Sequence, residues 1–376
     1  MKILYCLHGT YNSGGMERIV TAKANWLTQN GHDVCIVTTE QNRRSDFFKL
    51  HNSIKRIDID ILYSSLAQTN PFKKYFFRTK KIKSHQKKLQ EIVTNFKPDI
   101  IISTFGNEIG IIPKIKTNAI KIAELHFSRW YRLQLDRKGI WKYIDYFLTW
   151  LDSQNVKKYD RFVVLTKEDK SNWTNYNNLV VIPNFIDSIS PISAQLNNHT
   201  MVAIGRLSYQ KGFDRLIKAW NLVYKYHPDW KLEIYGAGEE LLQLEYLIDS
   251  LGLKDTVYIL PPTSNINAVY QRASALLLTS RYEGLPMVLL EAMANGVPPI
   301  SFTCKCGPRD VITNNVNGLL IDEDDIKGLS DSINKIIENH SYRKQLGKNA
   351  HEHAKNYLKN NIMQIWERLF VDLTSK

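Results

Sequence analysis

Long apolar runs are missing from this 376-residue chain. None approaches the ~20 apolar residues a helix needs to cross a bilayer, so no transmembrane helix is expected. The opening MKILYCLHGTYNSGG is apolar too briefly, and broken too early by His8, for a secretory leader; it reads as a buried first strand. Cysteine is scarce, with Cys6, Cys35, Cys304 and Cys306 making four in all. Cys6 and Cys35 fall in strand-like segments and read as small core residues. Cys304-x-Cys306 has no second pair beside it, and structural zinc needs four ligands at recognisable spacings. The expectation is a reduced, cytoplasmic protein with no metal and no cofactor. G-x-G-x-x-G is absent too. Gly9, Gly14 and Gly15 do not fit it, which argues against a dinucleotide with Glu40 on its ribose. Asp58-Ile59-Asp60 has the Asp-x-Asp pattern of a metal holder but an unfavourable position, and 322–325 reads as an acidic surface turn. No internal repeat is visible.

What is present is ordinary for a folded protein: 43% hydrophobic and 23% charged residues. The length is too great for one core, so two domains are expected. The net charge of +13 is lopsided. Residues 1–190 hold 30 Lys and Arg against 17 Asp and Glu, and the remainder is balanced. A basic first half suits nucleic acid, an anionic membrane or an anionic substrate.

The first half alternates strand and helix. KILYCL, VCIVTT, IKRIDID, DIIIST, KIAELH and RFVVLT read as strands, with helices over about 16–30 and 71–96. Uninterrupted apolar strands point to a parallel sheet covered on both faces. Residues 183–200, rich in Ser, Asn and Pro, read as an interdomain linker. MVAIGRL opens a second α/β unit with strands at KLEIYG, TVYIL, ALLLTS and PPISF, and the tail from about 329 to 373 is helical in three pieces. The expected domains are 1–188 and 196–357, with a last helix over about 358–376 packing back on the first.

Three stretches carry chemistry. HGTYNSGGMER places Gly14 and Gly15 before a helix, where backbone N–H groups can meet an anion; a tight turn is the plainer reading. GRLSYQKGF puts Arg206 and Lys211 on a strand-to-helix loop, where a planar fork and a point charge could grip one diphosphate, or simply be solvated. RYEGLPMVLLEAMANG sets Glu283 and Glu291 at either end of an uncharged segment.

GRLSYQKGFDRLIKAW, LEIYGAGEE and RYEGLPMVLLEAMANGVPPIS together resemble the family-4 retaining glycosyltransferases of GT-B fold, whose acid-x7-acid motif matches Glu283 and Glu291. The resemblance extends to SGGMER, VIPNFID and the helical tail, and covers essentially the whole chain. It implies an α/β fold of two Rossmann-like domains with parallel sheets facing a central cleft. It implies a nucleotide-sugar donor, a UDP-sugar by preference, and a membrane-associated or lipid-linked glycan acceptor in bacterial surface polysaccharide assembly. Arg206 and Lys211 would grip the donor diphosphate, Glu291 the ribose, and Glu283 the sugar. Backbone groups of Gly284, Leu285, Pro286 and Met287 would meet sugar and phosphate. Gly14 and Gly15 from one domain, and Gly205 and Gly236 from the other, complete the donor set. His126, in AELHFS, matches the histidine that contacts the sugar, with a structural histidine as the alternative. The catalytic set is then His126, Arg206, Lys211 and Glu283. On one ideal helix the two acids would stand ~12 Å and about 80° apart, bracketing a long ligand rather than one bond. Phe185 stands where the family has Gly, and Asp310 where relatives often have Glu; both leave the donor open.

NPFKKYFFRTKKIKSHQKKLQ supplies Lys73, Lys74, Phe76, Phe77, Arg78, Lys80, Lys81, Lys83, Lys87 and Lys88. As a helix it is cationic with an aromatic edge, suited to an acceptor's lipid diphosphate or to an anionic membrane at the inner face of the cytoplasmic membrane; a solvated basic face is the alternative. A second aromatic cluster lies in RWYRLQLDRKGIWKYIDYFLTW. Nucleic acid is not expected, since no recognition helix or RNA-binding signature is present. The other functional classes in play are a GT-B sugar-nucleotide epimerase, a phosphorylase and a non-catalytic nucleotide-sugar binder.

Overall fold

A computed structural model describes residues 1–66, 71–135 and 137–375, and only the backbone of 71–75 and 135. It divides into two compact units. The first contains β1 (Lys2–Leu7), α1 (Gly15–Gln29), β2 (Asp33–Thr38), β3 (Lys55–Asp58), α2 (Pro71–Phe96), β4 (Ile100–Ser103), β5 (Ile120–Glu124), α3 (Ile140–Val156), β6 (Arg161–Val164), the part of α4 (Lys167–Asn172) from Lys170 onward, and β7 (Leu179–Val181). Among the described residues its sheet is seven-stranded and parallel, in the order β3-β2-β1-β4-β5-β6-β7. Leu4 and Cys6 of β1 face one core with Leu89, Val93 and Phe96 of α2 and Val156 of α3.

The second unit contains β8 (Thr200–Ile204), α5 (Phe213–Tyr224), β9 (Lys231–Tyr235), α6 (Leu241–Ser250), β10 (Val257–Leu260), α7 (Ile266–Arg272), β11 (Ala275–Leu278), α8 (Met287–Ala294), β12 (Pro299–Phe302), α9 (Pro308–Val311), β13 (Leu319–Ile321), α10 (Ile326–Glu338) and α11 (His340–Ala354). Its parallel sheet, six-stranded among the described residues, runs β10-β9-β8-β11-β12-β13. The strand order reverses beside β1 in one sheet and beside β8 in the other. At such a switch point the loops leaving the carboxyl ends diverge and open a ligand crevice.

The helix α12 (Lys359–Thr374) follows α11, and from Met363 onward the chain belongs to the first unit. There Trp366 and Phe370 are buried. The stretch 183–200 differs from the expected linker, because the chain from Pro183 belongs to the second unit. The N–H groups of Ser190 and Ala194 donate to the carbonyls of Ala294 and Asn295, and Arg343 Nε donates to the Leu196 carbonyl. The end of α8 and one arginine thus satisfy a segment whose composition alone suggests solvent. The short strands β7 and β13 carry no clear sequence pattern of their own; pairing with β6 and β12 defines them.

One buried pair ties α1, β5 and α12 together. Lys23 Nζ donates to both Glu124 oxygens at 2.6 and 2.7 Å and sits 3.4 Å from the Trp366 ring centroid. Both charged side chains are 1% exposed. Burial lowers the lysine's proton affinity, and the Glu124 charge opposes that. Removing one partner strands the other charge, at a cost of about 3–5 kcal/mol, whereas removing both is much milder. Lys23→Met is therefore expected to lose about that much stability in urea unfolding, and the Lys23→Met, Glu124→Leu double variant to recover most of it. A single variant as stable as the parent would contradict this.

Candidate functional site

In the second unit, β8 and β11 are neighbours, so the loops leaving them must meet. The first loop, 205–212, ends in a short 3-10 turn at Tyr209–Lys211 and in Gly212, whose φ is +62°. A Cβ at Gly212 would lie 2.3 Å from the Thr279 carbonyl oxygen, so both the backbone angle and the close approach require glycine. The Thr279 hydroxyl donates to the Gly212 carbonyl at 3.0 Å, and Arg215 Nη2 donates to the Thr279 carbonyl at 2.7 Å. Gln210 fastens the loops again: its carbonyl accepts from the Arg281 N–H, and its amide donates to the Tyr282 carbonyl.

On this frame Lys211 Nζ reaches Glu283 Oε1 at 2.6 Å, with the side chains 18% and 8% exposed. Arg206, on the same loop, is exposed. Gly205 and Gly236 bring the loops after β8 and β9 together backbone to backbone, since a Cβ at Gly236 would lie 2.0 Å from the Gly205 carbonyl oxygen.

The two acids do not share a helix. α8 begins at Met287 with Pro286 as its extended N-cap, so Glu283 lies four residues ahead of it. A proline disfavours helical geometry in the residue before it, which corrects the single-helix geometry expected for the pair. Glu283 is instead held by its N–H donating to the Lys305 carbonyl at 3.2 Å and by Lys211. Glu291 lies in the second turn of α8, half-buried, and Tyr270 Oη donates to it at 3.2 Å. Between the acids, Leu285 and Pro286 are buried, Gly284 and Met287 partly so, and the first N–H groups of α8 point out of its N-terminus.

In the first unit, Gly14 caps α1 and Gly15 opens it. A Cβ at Gly14 would strike the Glu17 carboxylate, whereas one at Gly15 would meet nothing within 4 Å. His126 follows β5 and its side chain is 2% exposed. Its Nε2 comes within 3.4 Å of Glu124 Oε1 without the alignment of a hydrogen bond, and both ring nitrogens are buried without one. Burial lowers its proton affinity; Glu124 opposes this and Lys23 adds to it, leaving the ring neutral near pH 7.

The basic helix splits by face. Phe76, Lys80, Lys83 and Lys87 lie within about 60° of one another around α2 and are exposed, as are Phe77 and Arg78. Lys81 and Lys88 point elsewhere, contrary to the expectation that they join this face. Lys81 Nζ donates to the carbonyls of Ile61 and Leu62, and Lys88 Nζ to that of Ile59 at 2.6 Å. They close the chain end beyond β3. The side chains of Lys73 and Lys74 lie outside the described residues.

Other expectations resolve locally. Asp58 does stand at a strand end, but its carboxylate accepts from the Asn42 N–H at 2.9 Å and from the Thr38 hydroxyl at 3.2 Å. Cys304 and Cys306 are buried, and burial raises both thiol pKa values. Phe185 is buried, and Asp310 accepts the N–H groups of Lys167 and Glu168. The sequence reading missed Thr279, Arg215 and Tyr270, which hold the second-unit loops, and Lys23 and Glu124 beside His126. A signal did exist for Lys23: with Ile19 and Leu27 it falls at i, i+4 and i+8 on the buried stripe of α1.

Comparison with known proteins fits this geometry. The glycosyltransferase family 4 profile matches residues 13–188, and that of glycosyl transferases group 1 matches residues 187–353. The Campylobacter jejuni GalNAc-alpha-(1->4)-GalNAc-alpha-(1->3)-diNAcBac-PP-undecaprenol alpha-1,4-N-acetyl-D-galactosaminyltransferase is 30% identical over 99% of both chains. The amylovoran biosynthesis glycosyltransferase AmsD of Erwinia amylovora is 27% identical over 97% of this chain and 98% of its own. The crystal structure of Anabaena HepE in complex with UDP and glucose superposes with a TM-score of 0.73 at 17% identity, covering 100% of both chains. Full-length similarity, two parallel α/β sheets and the acid pair lead to one conclusion: the chain belongs to glycosyltransferase family 4 and has the GT-B fold.

Proposed function

We propose that the protein is a retaining glycosyltransferase that moves a sugar from a UDP-sugar to a lipid-linked glycan during surface polysaccharide assembly at a membrane. The observation that carries the donor site is the convergence of Lys211, Glu283 and the α8 N-terminus at the switch point of the second sheet. Cleavage of the anomeric C–O bond develops negative charge on the leaving diphosphate. Lys211 and Arg206 meet that charge, with the backbone N–H groups of Gly284, Leu285 and Met287 beside them, already oriented before the reaction begins. Glu283 fixes the Lys211 ammonium and takes a sugar hydroxyl. Glu291 accepts the ribose hydroxyls. The leaving phosphate receives the acceptor proton, and attack on the face it vacates retains configuration.

In the first unit, Gly15 leaves an uncovered backbone at the start of α1 that suits an anion, and the unpaired ring nitrogens of His126 suit a hydroxyl group. The stripe of Phe76, Lys80, Lys83 and Lys87 suits the phosphates of an acceptor of the kind named for the C. jejuni relative, which is linked through PP to undecaprenol.

Two experiments test this. UDP is expected to raise the melting temperature, and Glu291→Ala to weaken UDP binding by about 10- to 150-fold, the equivalent of losing roughly 1.5–3 kcal/mol of charged hydrogen bonding. Unchanged affinity would remove the ribose role. Lys211→Gln keeps a hydrogen-bond donor for Glu283 but removes the charge. Its turnover is expected to fall about 10²–10³-fold with the fold intact, and near-normal turnover would remove the leaving-group role.

A further inference from the structure

The helix α3 is built inside out. Toward the protein it buries Asp145, Thr149, Asp152, Ser153 and Val156, four of them polar. Toward solvent it presents Ile140, Trp141, Tyr143, Tyr146, Phe147, Trp150 and Leu151. At about 100° per residue the six other than Trp141 fall within an arc of about 140° and form one stripe, with Trp141 about 80° beyond its edge. Tyr143 is 75% exposed and Ile140 71%. A helix on a soluble surface has the opposite polarity.

The charged groups of the inner face are paired and Ser153 donates to the Thr149 carbonyl, while the Thr149 hydroxyl is buried without a partner. Arg137 Nε donates to Asp145 at 2.8 Å, and Arg132 Nη1 donates to Asp152. The two ion pairs hold the helix with its aromatic side outward.

From this inversion we infer that the outer face of α3 is a membrane-docking surface that inserts its aromatic rings at the headgroup level of an anionic bilayer. The inference rests on the membrane-bound acceptor proposed above and names the surface that reaches the membrane. Tyr143, Tyr146 and Trp150 make up half of the stripe, and these amphipathic rings favour the membrane–water interface. The charge around it is of the sign an anionic leaflet attracts. Lys138 and Lys142 are exposed at the start of α3, and the excess positive charge of the whole chain lies in residues 1–190. Topology extends the surface. α2 and α3 pack on the same face of the first sheet, and each follows a parallel strand, so both begin at the carboxyl edge of the sheet. The exposed Phe76 and Lys80, near the start of α2, therefore lie toward the same edge as the aromatic stripe.

The test uses the full-length protein and vesicles of phosphatidylcholine with or without 30% phosphatidylglycerol. Wild type is expected to co-sediment with the anionic vesicles, and lipids brominated on the acyl chain are expected to quench part of its tryptophan fluorescence. The variant Tyr146→Ser, Phe147→Ser, Trp150→Ser is expected to lose at least tenfold in vesicle partition and most of that quenching. Unchanged partition overturns the inference. So does absence of quenching in wild-type protein, a result that needs no variant. So does a wild-type dimer that the variant dissolves while vesicle binding persists, which would assign the face to a second copy of the chain. UDP-induced stabilisation of the variant reports separately: kept while vesicle binding is lost, it separates the docking surface from the donor chemistry.

Discussion

The ion pair between Lys211 and Glu283, at 2.6 Å, is where the second unit's fold becomes a site. The residues are 72 positions apart, and they meet because β8 and β11 are adjacent at the point where the strand order reverses. A parallel sheet sends both following loops out of the same edge. The pairing also needs Gly212 in its left-handed turn and Thr279 bonded across to it; a side chain at Gly212 would push the two loops apart. A mostly buried carboxylate beside the lysine costs desolvation and is tolerated because the pair is short and well aligned. That cost leaves a cation fixed on the loops at the switch point of the second sheet.

A second buried charge organises the first unit. Lys23, Glu124 and Trp366 join α1, the end of β5 and the last helix of the chain. The same carboxylate stands beside His126, whose neutral ring has no hydrogen bond in this structure. Beside the paired charges, the His126 ring nitrogens and the Tyr5 hydroxyl are buried without a hydrogen-bond partner. Integrity of the fold thus depends on one pair whose two charges also act in opposite directions on His126.

Much of this was legible in the sequence. Continuous apolar strands announced parallel sheets, and GRLSYQKGF and RYEGLPMVLLEAMANG identified the loops that the second sheet's switch point brings together. The helix over 71–96 was readable from its run of charged and apolar residues. Spacing alone misled at Glu283, where the eight-residue interval suggested a shared helix and Pro286 sets a boundary between the acids. It misled again at Lys81 and Lys88, whose charges are directed to carbonyls beyond β3 that only the tertiary structure brings near. The stretch 183–200 looked solvent-like because its backbone partners, on α8 and α11, lie about a hundred or more residues away. The inverted polarity of α3 was hidden because aromatic residues at helical spacing ordinarily mark a core, and only burial says which side faces in.

The decisive measurement is amide hydrogen–deuterium exchange of the intact protein with and without saturating UDP. Slowed exchange is expected in 205–212 and in 283–291, the two loops joined by Lys211 and Glu283 together with the first turns of α8. UDP binding that leaves both segments unprotected, or protects only other segments, would contradict it.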